Sequence, residues 1–99
     1  MEKKDVQLAV RGIDSDIIRA MSLCDDEIGY NVIYKDNSFY ILLDLSEGVG
    51  GDLLEEILSH IAVLSIKIRD KRLLMSIDPD FVSDELEDWA DDPLLNPAS

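Results

Sequence analysis

Two β-rich runs constrain this chain more than any other feature: Tyr30-Asn31-Val32-Ile33-Tyr34 and Phe39-Tyr40-Ile41-Leu42-Leu43, held apart by Lys35-Asp36-Asn37-Ser38. Branched and aromatic side chains suit a pleated, half-buried surface. Asp, Asn and Ser tolerate the left-handed backbone angles of a tight connection. The spacing predicts a hairpin. Its second arm is almost wholly apolar, which places that arm centrally in a sheet. An antiparallel sheet therefore anchors the fold, and the rest of the chain must cover it.

Upstream, Val6, Leu8 and Val10 alternate with Gln7, Ala9 and Arg11, a period of two that reads as a strand over residues 5–13. Gly12 and Asp14 read as its break, with Asp14 or Ser15 capping a helix. Ile17, Ala20, Met21 and Cys24 then recur at helical spacings. Downstream, Gly48-Val49-Gly50-Gly51 marks a loop, and Asp52 with Glu55 forms an acidic variant of the capping box. Leu54, Ile57, Leu58, Ile61 and Leu64 line one face, which predicts a helix over residues 52–63. Residues 65–69 alternate, Asp70-Lys71 can turn, and residues 73–77 can form another strand, or one bent strand with 65–69.

The order strand, helix, hairpin, helix, strand predicts an α+β fold. Its expected form is an antiparallel sheet of four to five strands with two helices on one face, in a split βαβ, ferredoxin-like order. One α+β domain is expected over residues 1–77, followed by an acidic helix and tail over 78–99. In that tail Ser83 reads as a cap, and Val82, Leu86 and Trp89 form one stripe. Pro93 ends the helix.

Charge is the strongest functional signal. Twenty-two acidic residues against nine basic ones give a net charge of −13. Such a field repels nucleic acid and anionic membranes and attracts basic partners. Cys24 is the only cysteine, so no intramolecular disulfide is possible. The longest apolar runs, such as Ile61-Ala62-Val63-Leu64, are too short to cross a bilayer. Residues 1–5 lead into alternation rather than the apolar core of a secretory signal. The expected location is cytoplasmic.

Candidate chemistry is sparse. Asp78-Pro79-Asp80, continued as a calcium loop, has Ser83 where glycine is needed and Trp89 in place of a bidentate glutamate. The loop at residues 48–51 is bracketed by Glu47 and Asp52 and lacks a following lysine, so it does not suit phosphate. His60 and Cys24 stand alone, short of both a nucleophilic triad and a zinc ligand set. No catalytic residue, cofactor or metal is expected, and the chain reads as a non-enzyme. Lys67, Arg69, Lys71 and Arg72 form the one basic cluster. The tail is expected to fold back and neutralise it, the alternative being a discrete partner site.

Partner binding is expected on Asp84, Glu85, Glu87, Asp88, Asp91 and Asp92, with Trp89 as an apolar anchor if exposed. In size and charge the chain is similar to immunity and antitoxin proteins and to phage-encoded inhibitors of host defences. It is also similar to the acidic chaperones of secretion systems. The first resemblance implies an inhibitor that occludes a basic, nucleic-acid-binding surface of a partner protein. The second implies a homodimeric chaperone or adaptor that holds another protein on an apolar groove. A small-ligand regulatory domain is the third alternative.

Overall fold

In the computed structural model, which describes residues 1–46, 48 and 50–97, three helices and four strands follow one another. They are α1 (Lys3–Cys24), β1 (Tyr30–Lys35), β2 (Ser38–Asp44), α2 (Gly51–His60), β3 (Val63–Arg69), β4 (Arg72–Ile77) and α3 (Pro79–Asp91). The strands form one sheet in the order β1-β2-β4-β3, and every neighbouring pair is antiparallel. The class is α+β. The split βαβ order is not formed: no two neighbouring strands are parallel, and the segment expected as the first strand is helical.

That first segment shows why. Val6, Leu8 and Val10 alternate, but Leu8, Ala9, Gly12, Ile13, Ile17 and Ala20 also recur at helical spacing, and these are the buried residues of a single 22-residue helix. Both periods fit residues 5–13 alone; only the helical one continues to Ala20. Gly12 lies inside this helix rather than at its start, and neither Asp14 nor Ser15 caps it. The N-cap is Glu2, which makes no side-chain cap bond.

Both hairpins close with two residues in left-handed conformation: Asp36 and Asn37 at φ 52° and 62°, Asp70 and Lys71 at φ 51° and 60°. Such turns match the right-handed twist of the strands they join. The last strand region is therefore a hairpin, not one bent strand. In α2 the expected capping box is absent: Gly50 is the N-cap, and no side chain caps the helix. The helix ends at His60 because Ile61 turns extended and leads directly into β3. Glu47 and Val49 of the expected loop lie outside the described residues.

The last helix starts earlier than Ser83. The Asp78 carboxylate accepts from the Asp80 backbone N–H at 2.9 Å, and Pro79 occupies the first helical turn, where its missing N–H is harmless. The Asp78-Pro79-Asp80 segment is thus a helix start.

One core joins these elements. Phe39, Ile41 and Leu43 of β2 and Leu73, Met75 and Ile77 of β4 alternate inward, and they cluster with buried residues of all three helices. Val82 and Trp89 of α3 belong to that cluster at 1% and 5% exposure. Trp89 lies directly against Gly12 of α1 and meets Phe81 edge-on, with ring centroids 6.1 Å apart.

Candidate protein-binding surfaces

The acidic residues of α3 separate by exposure. Asp84, Glu87, Asp88 and Asp91 are exposed, whereas Glu85 and Asp92 are partly covered. Trp89 is not a free anchor, because its indole is spent on the protein's own core. Among the described residues the ion pairs are Lys4–Glu2, His60–Glu56 and Arg69–Asp70, so no cation pairs with an α3 carboxylate. The helix presents uncompensated negative charge on a seat fixed by Val82 and Trp89.

The basic cluster lies elsewhere. Strand register assigns Lys67 opposite Leu74, and Arg69 opposite Arg72. Leu74 alternates with the buried Leu73 and Met75, so Lys67, Arg69 and Arg72 project from the face of the sheet opposite the core. Helix α3 packs with α1 on the core side, so the tail does not neutralise this cluster, contrary to expectation. Ile33, Tyr40, Leu42 and Leu74 share the outer face as neighbours in register, all half-buried. Lys35 marks its far corner. That face carries four cations and one strand carboxylate, Asp44, in a chain of net charge −13. Within it, Leu42, Lys67, Arg69, Asp70, Arg72 and Leu74 line a shallow depression of about 610 Å³.

Strand β3 forms one edge of the sheet, and its covering is incomplete. Only Val63 is half-buried; the other six residues are exposed. Ile66 and Ile68 pair with Met75 and Leu73, which puts them on the core face. Yet they are 46% and 68% exposed, against 0% and 3% for those partners. The opposite edge differs, because α1 packs alongside β1 and its inward residues Tyr30, Val32 and Tyr34 are half-buried.

Among the described residues, the groups that invite acid–base or nucleophilic chemistry, His60, Asp16 and Cys24, lie along α1 and α2. His60 Nε2 lies 3.1 Å from Glu56 Oε1 on its own helix. Asp16 of α1 is pushed up by partial burial, against the lowering pull of His60 and Arg19, with Glu85 adding to the rise. Cys24 Sγ donates to the Asp52 carbonyl at 3.5 Å. Desolvation, then the charges of Glu56, Asp52 and Asp26, push its thiol up, away from the thiolate a nucleophile requires. Among the described residues no polar side chain is buried, and no group of three or more His, Cys, Asp or Glu is placed to hold a metal. No described helix is long and apolar enough to cross a membrane.

No family model, curated protein or solved structure matches this chain. The reading of function therefore rests on the surfaces themselves. Sequence reasoning found the basic cluster and the acidic helix but missed the outer sheet face and the β3 edge. The signal for the edge was present: Leu64, Ile66 and Ile68 alternate with Ser65, Lys67 and Arg69. Only the position of the helices reveals that the apolar half of this alternation stays uncovered.

Proposed function

We propose that this chain is an acidic protein-binding module of the homodimeric adaptor or chaperone kind, which holds a segment of another protein on the outer face of its sheet. One observation carries the reading: the face opposite the core is open, and it combines a contiguous apolar patch with four of the nine cations. The patch of Ile33, Tyr40, Leu42 and Leu74 supplies contact area, while Lys35, Lys67, Arg69 and Arg72 select carboxylates. A segment mixing apolar and acidic side chains fits this surface. The acidic helices repel such a segment, and repulsion on one side with attraction on the other orients its approach.

The test is capture from host lysate on the immobilised full chain, beside a Lys67→Glu, Arg69→Glu, Arg72→Glu variant. All three residues are exposed, so circular dichroism should be unchanged. Loss of the captured protein in the variant is expected; undiminished capture refutes the reading.

A second reading is favoured by the exposed, unpaired carboxylates of α3. In it Asp84, Glu87, Asp88 and Asp91, flanked by Glu85 and Asp92, occlude a basic, nucleic-acid-binding surface in the manner of an inhibitor or immunity protein. Trp89 has no part in that contact while it remains seated. Neutralising the four exposed carboxylates to amides separates the readings, because it abolishes capture only in the second. That capture would also weaken as salt rises.

A further inference from the structure

Edge strands are a hazard that proteins blunt with proline, charge, bulges or a covering element, because their free N–H and C=O groups invite another strand. Strand β3 has no proline, and its one irregularity is confined to the 63–65 stretch at its start. Its charges, Lys67 and Arg69, point to the outer face, leaving Ile66 and Ile68 bare on the core face. With Leu64 at 64% exposure, three large aliphatic residues line one open edge.

We propose that a second copy of this chain covers this edge, by antiparallel β3–β3′ pairing about a twofold axis at Ile66. The charge register of the strand favours a second copy. Residue 66 is the midpoint of Val63–Arg69, so this register overlaps the two strands most fully, with regular pairing beyond the irregularity at 63–65. Ile66 then faces its own copy and Ser65 faces Lys67′, while Leu64, the extra residue of the irregularity, comes beside Ile68′. Helices of both copies stay on the same side only if the register moves in two-residue steps. Centring on Lys67 opposes two lysines, and centring on Ile68 opposes Lys67 to Arg69′. Centring on Ser65 leaves Ile68 without a partner. Like charges directly opposite are destabilising, so the register that joins the apolar residues is also the one that separates the cations. The result is an eight-stranded sheet, β1-β2-β4-β3-β3′-β4′-β2′-β1′. This inference deepens the adaptor reading and rests on it for its purpose, although the pairing itself needs no cargo.

Sedimentation of the full chain at low and high salt tests it. The expected species has twice the 11.1 kDa chain mass, and its share rises with salt because two chains of −13 repel each other until screened. Ile66→Lys sets two charges against each other at the axis and is expected to weaken dimerisation at least about tenfold, or about 1.4 kcal/mol. Ile18→Lys, at a site 48% exposed on α1, leaves the dimer intact. In a Cys24→Ser background, Ile66→Cys is expected to cross-link to its copy on oxidation, while Ser65→Cys does not. A monomer at every salt concentration, or a dimer that resists Ile66→Lys and yields to Ile18→Lys, overturns the inference. Failure of the adaptor reading looks different: the dimer forms, but reversing charge at Lys67, Arg69 and Arg72 leaves capture unchanged.

Discussion

Replacing Gly12 with alanine should destabilise the protein, against the ordinary expectation for a helix. In a helix interior, alanine is favoured over glycine by about 0.8–1.0 kcal/mol. At this position a Cβ would lie 2.7 Å from the Trp89 Cγ and closer still to Cδ2 and Cε2, all within the range real contacts avoid. The indole is 5% exposed and abuts Phe81, so it has little room to retreat. Overpacking of this kind costs about 1–3 kcal/mol, and complete loss of a buried tryptophan sets a ceiling of about 3–5 kcal/mol. Contacts this close put the cost at the upper end of the overpacking range, about 3 kcal/mol. Less about 1 kcal/mol of propensity, a net loss of roughly 2 kcal/mol is expected, equivalent to a fall in Tm of roughly 8–16 °C for a domain of this size. Urea unfolding followed by far-UV circular dichroism measures it, and Trp89 emission should shift to the red in the folded variant. In a Trp89→Ala background the clash is gone, and the same Gly12→Ala change should stabilise by about 1 kcal/mol. If Gly12→Ala raises stability with Trp89 present, the indole does not sit on Gly12, and the seating of α3 is wrong.

Two further effects follow from named contacts. Asp78→Ala removes the carboxylate that caps α3 and should cost about 0.5–2 kcal/mol in urea unfolding, a loss that Asp78→Ser largely restores; no loss in the alanine variant would mean the cap is not formed in solution. The Tyr30 hydroxyl donates to Asp14 Oδ1 and is pushed up to about 12, first by desolvation, then by that bond and by the Asp14 charge. Ultraviolet titration should show one of the three tyrosines ionising there, and Asp14→Asn should lower it only in part, because burial remains. Its folded value exceeds the unfolded value near 10, so Tyr30 contributes stability that is present below about pH 10 and lost on the way to about pH 12. Tyr30→Phe should flatten the decline in urea midpoint across that window; equal decline in both proteins would refute the linkage.

The hairpin at residues 30–43 was legible because its information is local: a turn with two residues that accept positive φ, between β-branched and aromatic arms. Helix α2 was legible as a helix from its apolar period, but its ends and its buried face were not: Leu53 rather than Leu58 is buried beside Ile57, and Leu64 lies in β3. The first segment carries two signals, because Val6, Leu8 and Val10 satisfy a strand period over a short window and Gly12 resembles punctuation between elements. Glycine serves there as a gap for a side chain 77 positions away, a reason no local reading contains. The same applies to Trp89, whose partner lies on α1. The acidic face of α3 was visible in sequence because it needs only helical spacing. The outer sheet face was not, because its members come from four strands whose order, β1-β2-β4-β3, is set by tertiary packing.

Charge segregation and self-pairing bear on each other through geometry. In the β3–β3′ sheet, Leu74 and its copy stand three strand spacings apart across the sheet and two residues apart along it, about 16 Å in all. The two depressions lined by Leu42, Lys67, Arg69, Arg72 and Leu74 then lie side by side on one continuous face. A single extended segment of about five residues spans that distance, so one acidic, apolar segment can touch both copies at once. Each depression alone is shallow and open, and its cations gain little from one exposed carboxylate in water. Contact with two copies converts the second encounter into an intramolecular one, which raises affinity without requiring deeper pockets. By reciprocity, a segment bound across the axis favours the dimer by the same free energy that the dimer lends to its binding. The strong negative charge of each chain then acts as a brake: it keeps copies apart until the apolar edge, aided by a bridging segment, outweighs the repulsion.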